Sequence, residues 1–401
     1  MRLAILSDFH LGYGRFQEDA YRQAREAVTK ASTAADALLI PGDVFDTRTP
    51  EPEALAQAIN IFRELRSKDW SAKVVSCDAA RGNYTSLPIV AVAGTHERRA
   101  EGVENPIGLM NLAGMLVDIS DGSAVIEKEG ERVAVCGMGG IEDTMFRDAL
   151  VRRAPKPVEG MFNVFMFHES IYDLLPFNDA FVRIDELPDG FDLYVNGHIH
   201  SSVETEVHGR PFLIPGSTVL TQLKEGEQAS KGFFLFDTER KSYEFVPINS
   251  RPFKYMKFDI SGMHADHAIS VLGEEIEAIS RNYELPIIRI QLDGTPLSGA
   301  NTMDIELRQL AKRYKGSAII EITKNGADNG IVGLGIAEAK SKMLDGASIR
   351  DFGMGVLLEK FRDKKGDLGM DISELFELLS ADGSKDKAVA AALERLTAKT
   401  F

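Results

Sequence analysis

Through the first 250 residues, short apolar runs alternate with polar loops and amphipathic stretches. LAILSD (3–8), ALLIPGD (37–43), PIVAVAGTH (88–96), NVFMFH (163–168), DLYVNGH (192–198) and FLIPGST (212–218) are the clearest of these runs. Continuous apolar runs of this length, rich in Val, Ile and Leu, suit strands buried on both faces. DAYRQAREAVTKAS (19–32) and EPEALAQAINIFRELR (51–66) read as helices between them. The pattern predicts a layered α/β domain over 1–250, in which ligands sit where loops leave the carboxyl ends of strands.

After RPFKYMKFDIS (251–261) the texture changes. Residues 266–282 read as a helix, 287–292 as a strand, 302–315 as a helix and 317–323 as a strand, which predicts a small α+β domain over 251–325. The Gly-rich stretch at 326–341 reads as a linker, assigned to 326–347. The segment 348–401 carries short helices whose apolar faces are too small to make a core alone. Those helices either pack back on the body or dock on a partner.

Composition narrows the setting. No stretch approaches the roughly 18 consecutive apolar residues of a membrane-spanning helix. MRLAILSD runs straight into a strand-like segment, without the basic region or cleavage site of a secretory signal. The two cysteines, Cys77 and Cys136, form neither a disulfide framework nor a metal pair, so a reducing cytoplasm is expected. The net charge of −15 weighs against nucleic-acid binding over the whole surface, but leaves room for a basic patch or bound cations.

Candidate chemistry lies at the ends of the apolar runs. Asp8 and His10 stand two apart after the first run, and His198 and His200 repeat that spacing. If both pairs lie on strand ends, alternation puts each pair on one face, within reach of one ion. Asp43, Thr95–His96 and His168 follow three further runs, and Gly42, Gly94 and Gly197 give the backbone room to turn close to an ion. Mixed carboxylate and imidazole ligands suit Mn²⁺, Fe²⁺ or Zn²⁺ better than Mg²⁺ or Ca²⁺. Five of the eight histidines fall in this order; His208, His264 and His267 lie outside it and read as ordinary residues.

The order Asp8-x-His10, Gly42-Asp43-x-x-Asp46, Gly94-Thr95-His96-Glu97, His168-Glu169 and Gly197-His198-x-His200 resembles the calcineurin-like metallophosphoesterase superfamily. SDFHLGYGRF (7–16) and IPGST with KGFF (214–234) are similar to its Mre-eleven/SbcD branch, nucleases that process DNA double-strand breaks. The resemblance implies a layered β-sandwich flanked by helices, then a capping domain and C-terminal helices. It also implies two Mn²⁺ ions per subunit, with Fe²⁺ or Zn²⁺ as alternatives. Asp8, His10 and His200 would hold one ion, His168 and His198 the other, and Asp43 would bridge them. His96 matches the family's catalytic histidine. Asp46, Glu97 and Glu169 read either as acceptors that orient ligands or as solvated loop carboxylates. One position departs from the pattern: the family's usual Asn before the catalytic histidine is Thr95 here, which implies a weaker or more selective second metal site.

Tyr13 and Arg15, on the Gly-rich loop 11–16, and Arg98 and Arg99, beyond the catalytic histidine, are candidate DNA contacts. Leu55, Ile59, Ile61, Phe62 and Leu65, with the apolar run 105–116, suit core packing, while the resemblance implies a homodimer through such helices. It further implies a Rad-fifty/SbcC-type SMC-like ABC ATPase as partner, contacted through 348–398 with Phe352, Leu357, Leu358 and Phe361 on one stripe. The expected activity is metal-dependent exonuclease and endonuclease cleavage of DNA in the cytoplasm, associated with the nucleoid. A phosphoesterase acting on nucleotides or phosphoproteins, and a non-catalytic DNA-tethering subunit, are the alternatives.

Overall fold

The structure is a computed structural model and describes residues 1–79, 82, 85–100, 102–175, 182–298 and 300–325. The linker expected at 326–347 and the helices expected at 348–401 lie outside the described residues. The chain divides into two compact units. One comprises Met1–Met256, Leu272–Ile290 and Arg308–Glu321; among the described residues the other comprises Lys257–Val271, Gln291–Leu307 and 322–325.

The first unit is built on two sheets. Its strands are β1 (Arg2–Ile5), β2 (Ala37–Pro41), β3 (Lys73–Asp78), β4 (Ile89–Val92), β5 (Val117–Asp118), β6 (Ser123–Lys128) and β7 (Glu131–Met138). They continue with β8 (Phe162–Phe167), β9 (Leu193–Asn196), β10 (Val203–Val207), β11 (Arg210–Ile214), β12 (Gly232–Asp237) and β13 (Ser242–Pro247). Helices α1 (Gln17–Ala34), α2 (Pro52–Arg66), α3 (Pro106–Leu112) and α4 (Asp143–Arg153) lie between them in sequence. One sheet has the order β13-β12-β1-β2-β4-β5 and the other β10-β11-β9-β8-β7-β6-β3. Parallel pairing joins β1, β2, β4 and β5 in the first, and β7, β8, β9 and β11 in the second.

Side-chain alternation explains the layers. Leu38 and Ile40 of β2 enter a core shared with α1 and α2, through Ala24, Val28, Ile61 and Phe62. Leu39, between them, enters the core between the sheets, with Val90, Val135, Val164 and Val195. Phe165, Phe167 and Tyr194 point from the second sheet to a third core, against Phe146 and Leu150 of α4. The continuous apolar runs are therefore strands covered on both faces, each fully buried large side chain contributing about 1.5–3 kcal/mol. This is the mixed α/β layered sandwich with flanking helices that the sequence predicts.

The helix predicted at 19–32 spans Gln17–Ala34, and that at 51–66 spans Pro52–Arg66, with Pro52 at its first turn. Further along lie β14 (Phe253–Asp259), α5 (Ala265–Asn282), β15 (Ile287–Asp293), α6 (Ala300–Arg313) and β16 (Ile319–Asn325), and these strands form a sheet of order β14-β15-β16. No described helix is long and apolar enough to cross a membrane.

Candidate metal centre

The loops after β1, β2 and β4 in one sheet and after β8 and β9 in the other carry all the predicted ligands. Strand alternation is not what aims them. β1 ends at Ile5 and β9 at Asn196, so Asp8, His10, His198 and His200 lie past the strands, and the strand-end expectation is corrected. Asp8, His10, Asp43 and His198 instead take left-handed backbone, with φ of 54°, 47°, 51° and 69°. Non-glycine residues rarely adopt that region, and its cost of order 1–3 kcal/mol each must be carried by the surrounding fold.

Donor atoms of Asp8, His10 and His200 converge, as do those of Asp8, Asp43 and His168, and those of His10, Asp46 and His96. Asp8 Oδ1 lies 3.8 Å from His10 Nε2 and 3.7 Å from His200 Nε2. The two Nε2 atoms face each other at 3.1 Å. His10 Nδ1 meets Asp46 Oδ1 at 3.0 Å, which leaves the Nε2 lone pair aimed inward. His168 Nδ1 donates to the Pro41 carbonyl at 2.7 Å, and its Nε2 faces Asp43 Oδ2 at 3.2 Å.

These residues fit a divalent metal centre on physical grounds. Both Asp8 carboxylate oxygens are buried without a hydrogen-bond partner. Orphaned acceptors of this kind are costly unless something electrophilic satisfies them. The glycines leave the backbone no slack: a Cβ at Gly42 would strike the His168 ring, and one at Gly94 would strike the Asp43 carboxylate.

Electrostatics show the same crowding. Burial lifts the Asp8 carboxyl to about 6, against the lowering effect of His168. Burial also disfavours charge on Asp43, but the neighbouring His168 outweighs it and holds that carboxyl below the usual range. His168 is pulled up to about 10, because Asp43 and Asp8 more than offset its burial. His198 is held down at about 4 by burial and by His168. Asp43 is thus kept charged and His198 neutral, as metal ligation needs, whereas Asp8 and His168 must give up a proton to ligate.

The remaining predicted residues fall in different surroundings. His96 is exposed at the rim, its Nδ1 2.7 Å from the Asp46 carbonyl and its backbone N–H donating to Asp43 Oδ1 at 2.9 Å. Thr95 Oγ1 lies 3.3 Å from His198 Nδ1. Glu97 is fully buried and accepts from the backbone of Phe45 at 2.9 Å and of Gly94 at 2.8 Å, so it ties the Asp43 and His96 loops together. Burial and Asp43 raise its carboxyl to about 8. Glu169 is buried as well, and burial with Asp143 raises it to about 9. Neither is a solvated loop carboxylate. Tyr13 does not stand free on its loop: its hydroxyl donates to the Thr221 carbonyl at 2.7 Å. Arg15 pairs with Glu321 at 2.5 Å, and Arg98 lies 3.6 Å from Glu142.

Several supporting residues were not legible in the sequence. Thr221 Oγ1 contacts His200 Nδ1, and Ser170 Oγ sits 2.8 Å from His198 Nε2. Lys231, 4% exposed, donates to the His200 carbonyl at 2.9 Å, to Ser217 Oγ at 3.0 Å and to Glu227 Oε1 at 3.2 Å. Glu227 in turn accepts from the backbone of Gln222 and Leu223, at 2.8 and 2.6 Å. A lysine directly before the buried run GFFLF was the only sequence signal for this brace.

A layered sandwich carrying an Asp/His cluster at one rim is an arrangement suited to metal-dependent phosphoester hydrolysis. The calcineurin-like phosphoesterase family model matches residues 1–202, and the chain belongs to that family. It is a metal-dependent phosphoesterase. Among its relatives it is similar to the DNA double-strand break repair protein Mre11 of Methanopyrus kandleri, 25% identical over 421 residues, covering 95% of this chain and 87% of that protein. The protein of the same name in Sulfolobus acidocaldarius is 24% identical over 312 residues, covering 74% of this chain and 75% of its own. The double-strand break repair protein MRE11 of Oryza sativa subsp. indica is 27% identical over 414 residues, but the chain spans only 58% of its length.

Proposed function

We propose that this chain is a two-metal DNA nuclease that hydrolyses phosphodiester bonds during double-strand break repair. The observation that carries this reading is the convergence of Asp8, His10 and His200, and of Asp8, Asp43 and His168, around buried acceptors that lack protein partners. The likeness to repair proteins over most of the chain supplies the substrate class.

Asp8, His10 and His200 would hold one ion and His168 and His198 the other, with Asp43 shared between them and Thr95 beside the second. Mn²⁺ is the proposed metal, on the mixed oxygen and nitrogen donors. When bound, such a pair activates water and neutralises charge on the phosphoryl oxygens. The chain's own residues do the rest. Asp46 fixes the His10 ring. Glu97 binds the loops of Asp43 and His96 to each other, so that the rim histidine is held against the cluster. His96, exposed and directly beside His10, with ring centroids 4.9 Å apart, stabilises charge on the phosphate or hands a proton to the leaving sugar oxygen. Arg98 holds the phosphate backbone.

A homodimer is part of this reading, supported by Ile59 of α2 and Leu109 and Leu112 of α3, which are exposed at 40%, 46% and 50%. So are a capping domain over 251–325 and an SMC-like ATPase partner bound through 348–401. The test is cleavage of linear duplex DNA as a function of added Mn²⁺, with and without the ATPase. Mn²⁺-dependent cleavage that disappears in His96→Ala supports the reading. Wild-type protein that binds DNA but never cuts it, at any Mn²⁺ concentration, would leave a tethering subunit.

A further inference from the structure

Beyond the rim histidine lies an open cleft of about 480 Å³ that the metal centre does not use. Arg98 and Arg99 line one side of it, from the loop that carries His96. Arg152 and Arg153, in the last turn of α4, and Arg48, in the loop after β2, line the rest. Five cations thus face a single carboxylate, Glu142, in a chain whose acidic residues outnumber its basic ones by 61 to 46. Such a concentration of one sign is the electrostatic footprint of a polyanion.

Helix electrostatics explain only part of it. Arg152 and Arg153 complement the negative end of α4, and Arg153 also donates to the Ser120 carbonyl at 3.0 Å. Arg48 lies on no helix, and both Arg48 and Arg152 are exposed, with no hydrogen bond or ion pair to the described residues. The rest of the lining is Ala, Gly, Ile and the half-exposed Met145, so apart from the arginines themselves no side chain there can donate to a base edge.

We propose that this cleft is a sequence-neutral track for a nucleic-acid strand, gripping phosphates through Arg48, Arg152 and Arg153 as the strand leaves the His96 rim, with Met145 against sugar or base. The inference rests on the nuclease reading and adds the strand's path to it. Guanidinium forks match phosphate oxygens in pairs, so the grip is strong without base recognition.

The test measures binding of a mixed-sequence single-stranded oligonucleotide by the full-length chain in Mn²⁺, in a His96→Ala background, across a salt series. Adding Arg48→Ala and Arg152→Ala should weaken binding equally for different sequences and flatten the slope of log K against log salt by about 1.4, at roughly 0.7 per phosphate contact on a single strand. Arg48→Lys with Arg152→Lys should keep the slope, because the charge stays. An unchanged slope and affinity in the double alanine variant, at an unaltered melting temperature, overturns the track. So does a loss confined to one base composition. Cleavage by the wild-type chain, measured in parallel, separates the two ideas. Cutting with an unchanged slope removes the track alone, whereas a flattened slope without cutting removes the nuclease reading and leaves the track standing.

Discussion

The two flanks of the metal centre are prepared to different degrees. On the His10–His200 flank, each ring has its outer nitrogen engaged, by Asp46 and by Thr221, and its inner nitrogen turned toward Asp8. Behind Thr221, Lys231 and Glu227 lock the His200 backbone in place. On the His168–His198 flank, His168 is held by the Pro41 carbonyl, but His198 has a hydroxyl at each nitrogen: Thr95 at 3.3 Å and Ser170 at 2.8 Å. One of those contacts must yield before His198 can ligate. On the proposed two-metal reading, the first flank is preorganised and the second must rearrange, and Thr95 would be too short to help as an amide does.

Asp43 is where this comparison breaks most severely, since its two oxygens face His168 and the His96 backbone. Asp43→Ala should abolish cleavage and remove both ions, as read by ion stoichiometry in the purified protein; one ion retained at wild-type affinity would show that the flanks do not share it. His96→Ala comes next. It should lower kcat by about 10²–10⁴-fold while leaving the stoichiometry at the wild-type value. Lys231→Met, which removes the brace behind His200, should weaken one ion by about 10–100-fold and spare the other, a split that titration calorimetry resolves. Equal weakening of both would show that Lys231 supports the fold rather than one flank.

Thr95→Asn should act in the opposite direction, tightening the weaker ion by about tenfold, or 1.4 kcal/mol. No gain would mean that the hydroxyl is no handicap. The smallest effect is with pH. In the metal-free protein the Asp8 carboxyl holds its proton up to about 6 and the His168 ring up to about 10. Both must lose it to ligate, so the apparent metal affinity should rise with pH and binding should release protons. Calorimetry in buffers of different ionisation enthalpy reads the protons directly, and a pH-independent affinity would contradict the raised groups.

Much of this was legible in sequence because strands covered on both faces advertise themselves as unbroken apolar runs. β2, β4, β8 and β9 each lead to a predicted ligand. Strands with one half-exposed face were not picked out. β6 alternates buried and half-exposed positions over only six residues, and β13 is mostly exposed. Helix α4 has so weak an apolar face that its part in the arginine cleft was invisible, although Arg98 and Arg99 were noticed from their neighbour His96. The order of ligands was readable, but what orients them was not, since a left-handed φ at an aspartate or histidine leaves no mark in a string of letters. Lys231 and Thr221 reach His200 across 31 and 21 residues, contacts that only folding creates.

That left-handed backbone has a practical corollary for dissecting the centre. Asparagine tolerates such a conformation better than other uncharged side chains, so Asp8→Asn and Asp43→Asn can remove a charge while preserving the loop's course. Asparagine serves the same purpose at His10 and His198, whereas replacing either with a β-branched residue changes chemistry and chain path together. Loss of function in the four asparagine variants can therefore be assigned to the side chain, whereas in a β-branched variant it must be divided between ligand and loop.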